Sequence, residues 1–533
     1  MHQSPGSSTH YDAIVVGSGF GGSVSALRLA EKGYRVLVIE KGRWFKPADF
    51  PDTNWDLRRW LWMPILGWRG LFKMTFFRHV TIFSGVGVGG GSLVYANTLP
   101  MPKESFFQSP SWSHLANWRE ELAPYYPRVR QMLGASPVPF STPSDEVIRS
   151  IAQDIGKEEH FAPTYNAVYW GEPGKTVPDP YFDGKGPSRT GCLRCGGCML
   201  GCKHGAKNTL DKNYLHLAQA LGVEILADTE VTAVRPRAGG GYGVEALEGA
   251  RLSGRTDRSW TADRVILAGG VLGTVDLLIR MKTDPAGLPG LSPRVGDLVR
   301  TNSEVLMAVL SENRDVDYSK GVAIGSILEL SESSSLEPVR YNQGSNFFKL
   351  LMSPHSPGDN FFQRMTRAIG ILLRNPLRWI KALFHPDMSR DGSILLYMRT
   401  DDGTLRMSRG RGVTTGFTTG LQTTVSSGAP PMTSIPEASD VGERFAQKVN
   451  GTLMSLSTET VFGIPSTAHI LGGACMGATS DEGVIGPDHQ VHGYPGLYVI
   501  DGAAVSANPG VNPSLTIAAL AERAMSLIPA RAG

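Results

Sequence analysis

The chain has 533 residues, too many for one compact core, and reads as an α/β protein of two or three layers or lobes. Its 41% apolar and 19% charged residues are ordinary for a globular protein, and a net charge of +3 without a long basic run excludes a nucleic-acid partner. Met1–His10 is polar with no apolar h-region, and no stretch supplies the roughly 18 uncharged apolar residues of a spanning helix, which predicts a cytoplasmic protein.

In chain order, Ala13–Val16 reads as a short buried strand and runs at once into Gly17-Ser-Gly-Phe-Gly-Gly22. Ser23–Lys32 carries Val24, Leu27 and Leu29 at helical spacing, Gly33 stops it, and Arg35–Ile39 is a second strand ending in Glu40. Strand, glycine turn, helix, strand and acid together form the dinucleotide fingerprint. Gly17 permits the tight turn, Gly19 lets backbone approach a pyrophosphate, and Gly22 lets the helix pack close. The helix N-terminus offers free N–H groups to the phosphates, and Glu40 can accept from ribose hydroxyls. The 57–74 stretch is rich in Trp, Leu and Phe but broken by Arg58, Arg59, Arg69 and Lys73, and predicts an amphipathic helix, either packed on the body or serving as a lid or membrane-surface helix. Next, Gly85–Gly91 alternates glycine with Val86 and Val88 in a half-buried pattern, a loop on which a flat cofactor edge can rest.

Four of the five cysteines follow, Cys192, Cys195, Cys198 and Cys202, spaced C-x2-C-x2-C-x3-C. This crowding argues against a secreted disulfide framework. The spacing suits an iron–sulfur cluster, a structural zinc, or thiols that only tie down a loop, and it leaves these three readings open. Arg264–Gly270 is an apolar strand entering a glycine turn, followed by a helix over 274–281. Between Ser303 and Thr424 lie β-like runs such as Ile394–Met398, with a hairpin signal at Asp401-Asp402-Gly403, predicting an antiparallel sheet over the cofactor. Phe361–Phe384 mixes apolar residues with Arg364, Arg367, Arg374, Arg378 and Lys381, predicting a helix either packed on the body or lying on a membrane surface. Leu497–Asp501 is a further apolar strand. The nucleotide-binding sheet is thus built from both chain ends. Residues 11–310 form the dinucleotide domain with a cysteine-rich insertion near 185–210, 311–437 mainly an inserted α+β substrate domain, and 438–533 the return to the first domain.

Two of these stretches carry a resemblance. Phe83–Asn97 resembles the first signature of the glucose–methanol–choline (GMC) oxidoreductases, and Gly493–Ala503 with Gly510–Arg523 resembles their C-terminal signature. The resemblance spans about Tyr11 to Arg523 and is greatest to the bacterial cholesterol oxidase branch. It implies a Rossmann-like domain holding FAD through Gly17, Gly19, Phe20, Gly22, Glu40, Gly89, Gly90, Ser92, Asn97, Val231, Asp501, Gly502 and Asn512. It also implies hydride transfer from an alcohol to flavin N5, with His469 acting on the substrate hydroxyl and Asn512 holding its oxygen. A 3β-hydroxysteroid or another large apolar alcohol is the implied substrate, with Trp60, Trp62, Phe72, Phe76 and Phe77 as candidate pocket aromatics. Oxygen is the implied acceptor if the cysteines hold no cluster, and an electron carrier if they do. The branch also uses a Glu on its covering sheet for steroid isomerisation. The corresponding stretch, Ser389–Tyr397, has no Glu, with Asp391 the nearest substitute.

Two other classes compete. A nicotinamide-dependent dehydrogenase would share the opening fingerprint, but the Gly85 loop and the Asn512 motif speak against it. A flavin-stabilised scaffold would have no reason to keep His469 and Asn512 together.

Overall fold

The computed structural model describes residues 9–250, 254–401, 403–426 and 431–532. The polar start through Ser8 lies outside these. The first sheet is assembled from apolar segments too short and too continuous to be anything but buried strands. Its order runs Glu224–Leu226, Val36–Ile39, His10–Val16, Thr256–Leu267, Tyr242–Glu248, Thr229–Pro236, with Leu497–Val499 also pairing Thr256–Leu267. The pairings around His10–Val16 and that of Leu497–Val499 are parallel, with Ile14 opposite both Val265 and Leu37. The carboxyl ends of three parallel strands therefore meet at Gly17, Gly269 and Asp501. Such a convergence is where open α/β sheets bind ligands.

The C-terminal helix Ser514–Leu527 packs on Phe20–Glu31, and Arg28 reaches the buried carboxylate of Glu522 at 2.8 Å. Both chain ends thus stand behind one site.

The second sheet is antiparallel, in the order Met352–Pro354, Gly451–Leu456, Val305–Ser311, Gly392–Arg399, Ser334–Val339, Ser326–Glu329, Phe161–Pro163. Alternation sorts its faces. Met307, Val309, Leu336, Leu395 and Tyr397 pack with residues of the helices Pro143–Asp154 and Pro436–Lys448. Leu306, Val339, Ile394, Leu396 and Leu456 line the cavity under the sheet. Its strands extend to both sides of 311–437.

Three expectations need correction. The 57–74 stretch is not one helix: only Leu57–Trp60 is α-helical, and Phe72–Phe76 pairs antiparallel with Thr81–Gly85. Pro64 and the left-handed Gly67 break it, and at Gly70 a Cβ would lie 2.3 Å from the Trp60 carbonyl oxygen. The hairpin at Asp401-Asp402-Gly403 does not form. Asp402 lies outside the described residues, but the flanking strands belong to different sheets, because Thr404–Arg411 pairs instead with Thr419–Val425. Phe361–Phe384 is two helices, Phe361–Arg374 and Pro376–Leu383, since Pro376 cannot continue the first.

Candidate active site

The nucleotide groove begins at the first glycine turn. Gly17 has φ +101°, and a Cβ there would meet the Ala268 carbonyl oxygen at 2.3 Å, so the position is reserved by backbone. A Cβ at Gly22 would meet the Gly17 carbonyl oxygen at 2.1 Å, which is the close helix–strand packing expected of it. Gly19 differs: a Cβ there meets nothing within 4 Å, so its open side faces the cavity. The turn thus leaves free space only where a pyrophosphate needs it.

Glu40 is buried and accepts hydrogen bonds from Ser18 N–H at 3.1 Å, Ser18 Oγ at 2.8 Å and Gly42 N–H at 2.8 Å, while still lining the groove. Val231 lines an adjoining cavity of about 430 Å³ that shares Gly17, Glu40, Lys41, Lys73 and Gly269 with the main one. The two make one groove, with Val231 at its far end. Lys73 lines both parts, and burial, with Lys41 near it, pulls its ammonium down to about 8. A bound phosphate would add to the counter-charge of Glu230 and Asp276.

Gly90 and Phe20 line the main cavity, whereas Gly89 and Ser92 shape the loop behind it. Gly89 has φ +100°, and the Ser92 hydroxyl donates to the Gly89 carbonyl at 2.7 Å and accepts from Leu210 N–H at 3.1 Å. Asn97 is fully buried at φ +69°, and neither side-chain polar atom has a partner. Such an amide is costly to leave alone, and it stands between Ala96 and Thr98, which line the main cavity. Asp501 accepts from Gly270 N–H at 2.8 Å, Thr274 Oγ at 2.5 Å and Ala503 N–H at 2.7 Å, and burial pushes its carboxyl up to about 6. Together with Gly502 it closes the groove wall. These residues fit FAD.

The main cavity, about 360 Å³, continues under the covering sheet, where Phe72, Phe83, Tyr341, Phe348, Met352 and Leu456 make it apolar. Phe76 and Phe77 line the adjoining nucleotide cavity instead, and Trp60 is buried behind Phe72, stacked at 4.8 Å.

His469 and Asn512 face each other where the two halves meet. The short strand Ser466–Thr467 pairs with Thr81–Gly85, setting His469 against the cavity. His469 Nδ1 lies 2.7 Å from Glu304 Oε1, and Nε2 lies 3.4 Å from Asn512 Nδ2. Glu304 has a fully buried side chain and also accepts from Thr467 Oγ1 at 2.8 Å and Ala468 N–H at 3.0 Å. With Nδ1–H donated to that carboxylate, the lone pair of Nε2 is directed toward the cavity.

Glu304 was not read from the sequence, nor was Glu337. Glu337 is fully buried on Ser334–Val339, opposite Leu396, and the Asn512 amide beside it is a poorly aligned partner that satisfies neither oxygen. Burial first, and the neighbouring Glu304 charge after it, push its carboxyl up to about 8 although the Asn512 amide opposes them. This corrects the expectation at Ser389–Tyr397. The covering-sheet carboxylate comes from the neighbouring strand, and Asp391 points elsewhere, ion-paired with Arg390 at 2.5 Å and lying 3.3 Å from His385. The available signal was an isolated acid at an inward position of an apolar strand: Glu337 two residues before Val339, Glu304 two before Leu306.

Cys192, Cys195, Cys198 and Cys202 line a separate cavity of about 260 Å³ as free thiols. Among the described residues no group of three or more His, Cys, Asp or Glu is placed to hold a metal ion, so the thiols do not fit a zinc or cluster site. Burial pushes the Cys192 thiol up to about 12. The segment is instead stapled to the flavin loop by Lys207, whose buried ammonium donates to the carbonyls of Leu93, Tyr95 and Cys198 at 3.0, 2.9 and 2.8 Å.

The comparisons with known proteins agree with this geometry. Models described as GMC oxidoreductase match residues 188–283 and 433–521, and an NAD(P)-binding Rossmann-like domain matches 15–44. The chain is 45% identical to a cholesterol oxidase of Mycobacterium tuberculosis, over 97% of this chain and 91% of that one. It is 41% identical to a cholesterol oxidase of Acinetobacter baumannii, over 98% and 95%. A 2-methyl-1,2-propanediol dehydrogenase of Mycolicibacterium austroafricanum is 26% identical over 98% and 95%. Among solved structures, pyridoxine 4-oxidase from Mesorbium loti shares the fold, with a TM-score of 0.60 at 14% identity over 97% and 98% of the two chains. With the nucleotide groove, the paired His469 and Asn512 and these matches together, the chain belongs to the GMC oxidoreductases, FAD-dependent enzymes acting on CH–OH donors.

Proposed function

We propose that the chain oxidises the 3-hydroxyl of a 3β-hydroxysteroid to the ketone, with oxygen as the final acceptor. One observation carries this reading: under the covering sheet the cavity is walled by aromatic and aliphatic side chains, and the polar groups of that part gather at His469, Asn512 and Glu304, with the Glu337 carboxyl buried beside Asn512. A sugar or short diol would leave its hydroxyls unpaired against Phe72, Phe348 and Leu456. A rigid apolar ring system gains about 25 cal/mol per Å² buried there. The cholesterol oxidases among the relatives favour the same substrate class.

FAD held in the groove supplies the hydride acceptor. The protein's part is proton handling and orientation. His469 Nε2 accepts the hydroxyl proton, and the Nδ1–H bond to Glu304 stabilises the imidazolium that results. The Asn512 amide N–H steadies the oxygen as it becomes a carbonyl. The apolar wall excludes water, so these donors act in a medium of low dielectric. Glu337, near neutral pH in its proton affinity, is suited to take a proton from the carbon next to the new ketone and return it two carbons away, moving the ring double bond into conjugation.

Anaerobic flavin bleaching tests the reading with sterols, long-chain alcohols and sugars, followed by identification of the product. Bleaching by a 3β-hydroxysteroid to a conjugated enone supports it. Bleaching by sugars alone would overturn the substrate assignment.

A further inference from the structure

The helices Phe361–Arg374 and Pro376–Leu383 turn their apolar residues outward. Phe362 is 78% exposed, Leu373 75%, Leu377 73% and Phe384 76%. On the first helix three stripes can be separated. Arg364, Ala368 and Ile371, at i, i+4 and i+7, face the body, and Arg364 is anchored there by bonds to the carbonyls of Thr460 at 3.0 Å and Gly358 at 3.1 Å. Phe362, Ile369 and Leu373, at i, i+7 and i+11, form an exposed apolar stripe. Arg367 and Arg374, at i and i+7, form a cationic stripe beside it. The second helix repeats the arrangement, with Leu377, Ile380 and Leu383 exposed and Lys381 flanking them. No acidic residue lies between Asp359 and Asp387. Neither Arg374 nor Lys381 has an ion-pair partner among the described residues, whereas Arg378 lies 2.9 Å from Glu312 and ties the second helix down.

We propose that this helical pair is a docking surface for an anionic lipid bilayer. An exposed apolar stripe alone does not name its occupant, but a border of Arg367, Arg374 and Lys381 on helices that carry no acidic residue does. It is repelled by a second copy of itself and attracted by a negatively charged surface, and the outward apolar side chains sit at the depth of the headgroup–acyl boundary. The position supports the same occupant. Ala382 of the second helix belongs to an apolar cluster against which Trp379, Met352 and Ile394 pack, and the last two side chains also line the substrate cavity. The docked surface therefore shares a wall with the cavity. The passage of an alcohol from lipid to site rests on the steroid reading above; the docking itself does not.

The test is co-sedimentation of the FAD-loaded protein with vesicles of phosphatidylcholine alone and of phosphatidylcholine mixed with phosphatidylglycerol, neither containing sterol. Binding should favour the anionic vesicles and weaken as salt is raised. Each cation near the surface is worth about fivefold in partitioning, so Arg374→Gln with Lys381→Gln should weaken binding roughly 25-fold. Phe362→Ser with Leu373→Ser should weaken it at least as much, since each buries a large apolar side chain in the interface. Both variants should reduce their flavin with detergent-dispersed substrate at the wild-type rate. Failure of the wild type to sediment with anionic vesicles, equal binding by the variants, or a dimer that the variants dissociate would overturn the proposal. Vesicle binding without bleaching by any sterol would leave the docking surface standing and remove the steroid reading.

Discussion

Glu304 decides which nitrogen of His469 looks into the cavity, so it is a positioning residue whose loss should be felt at the hydroxyl proton. His469→Ala removes the proton acceptor and should slow flavin reduction by about 10²–10⁴ while FAD content stays near normal. Asn512→Ala removes one preorganised donor and should cost about 10²–10³. Glu304→Gln should slow reduction by roughly 10²–10⁴ by upsetting the tautomer, and should shift the pH profile of that step, which a merely structural change would not. Glu337 carries a separate prediction. Glu337→Gln should keep alcohol oxidation and yield the unconjugated ketone, visible as loss of the enone ultraviolet band. Its pH dependence follows from burial, which holds the proton to about pH 8 against about 4.3 for an unfolded Glu. A raised carboxyl contributes stability that is complete below the unfolded value and lost as pH rises to the folded one. Between pH 5 and 8 the wild type should therefore melt progressively lower than Glu337→Gln, whose neutral amide does not titrate, and the gap should level off above that range. At this scale Asn512 was legible because it stands inside the C-terminal signature, and His469 because its flanks, Ser466-Thr-Ala-His-Ile-Leu-Gly-Gly-Ala, resemble those of the family's catalytic histidine. The two glutamates were not, because their partners are 163 to 165 residues away for Glu304 and on a separate segment for Glu337.

The glycine turn makes a sharper test as an element than any one residue. Gly17→Ala places a Cβ against backbone at a left-handed φ, which nothing can relieve, and should lower the melting temperature of the protein even without FAD. Gly19→Val meets no protein atom at its Cβ and has φ −71°, so the chain should fold, yet the branched side chain would occupy the pyrophosphate position and the protein should purify colourless. Full flavin content in Gly19→Val would contradict the groove assignment. The cysteine segment makes the opposite point. Its spacing is compatible with a cluster, and the four thiols do line one cavity, but among the described residues no three of them are placed to hold a metal ion, and the segment is stapled by Lys207. Protein made and purified without oxygen should therefore contain less than one iron per chain; three or four irons would contradict this account of the segment. The 57–74 stretch misled for a related reason. Apolar aromatics at mixed spacing look helical until Pro64 and Gly67 are weighed as breaks, and Trp60 and Phe72 then meet across a turn.

At the scale of the whole molecule, the site exists because distant segments arrive at one place. The first glycine turn, the strand ends at Gly269 and Asp501, and the helix that begins at Ser514 come from both ends of the chain, and the covering sheet closes over them. The parallel sheet was legible because its strands are continuous apolar runs followed by glycine or acid. The covering sheet was legible only as an antiparallel expectation. Its strand order, and hence the arrival of Glu337 beside Asn512, depends on pairings that no local pattern records. No helix among the described residues is long and apolar enough to cross a membrane. In the proposed reaction His469, oriented by Glu304 and paired with Asn512, takes the hydroxyl proton of an apolar alcohol while FAD takes its hydride. Anaerobic stopped-flow reduction of the flavin by a 3β-hydroxysteroid, in the wild type and in His469→Gln, measures that step without the acceptor half-reaction. The wild type should bleach rapidly and the variant more slowly by about 10²–10⁴ at equal flavin content. Bleaching of His469→Gln at the wild-type rate would contradict that role of His469.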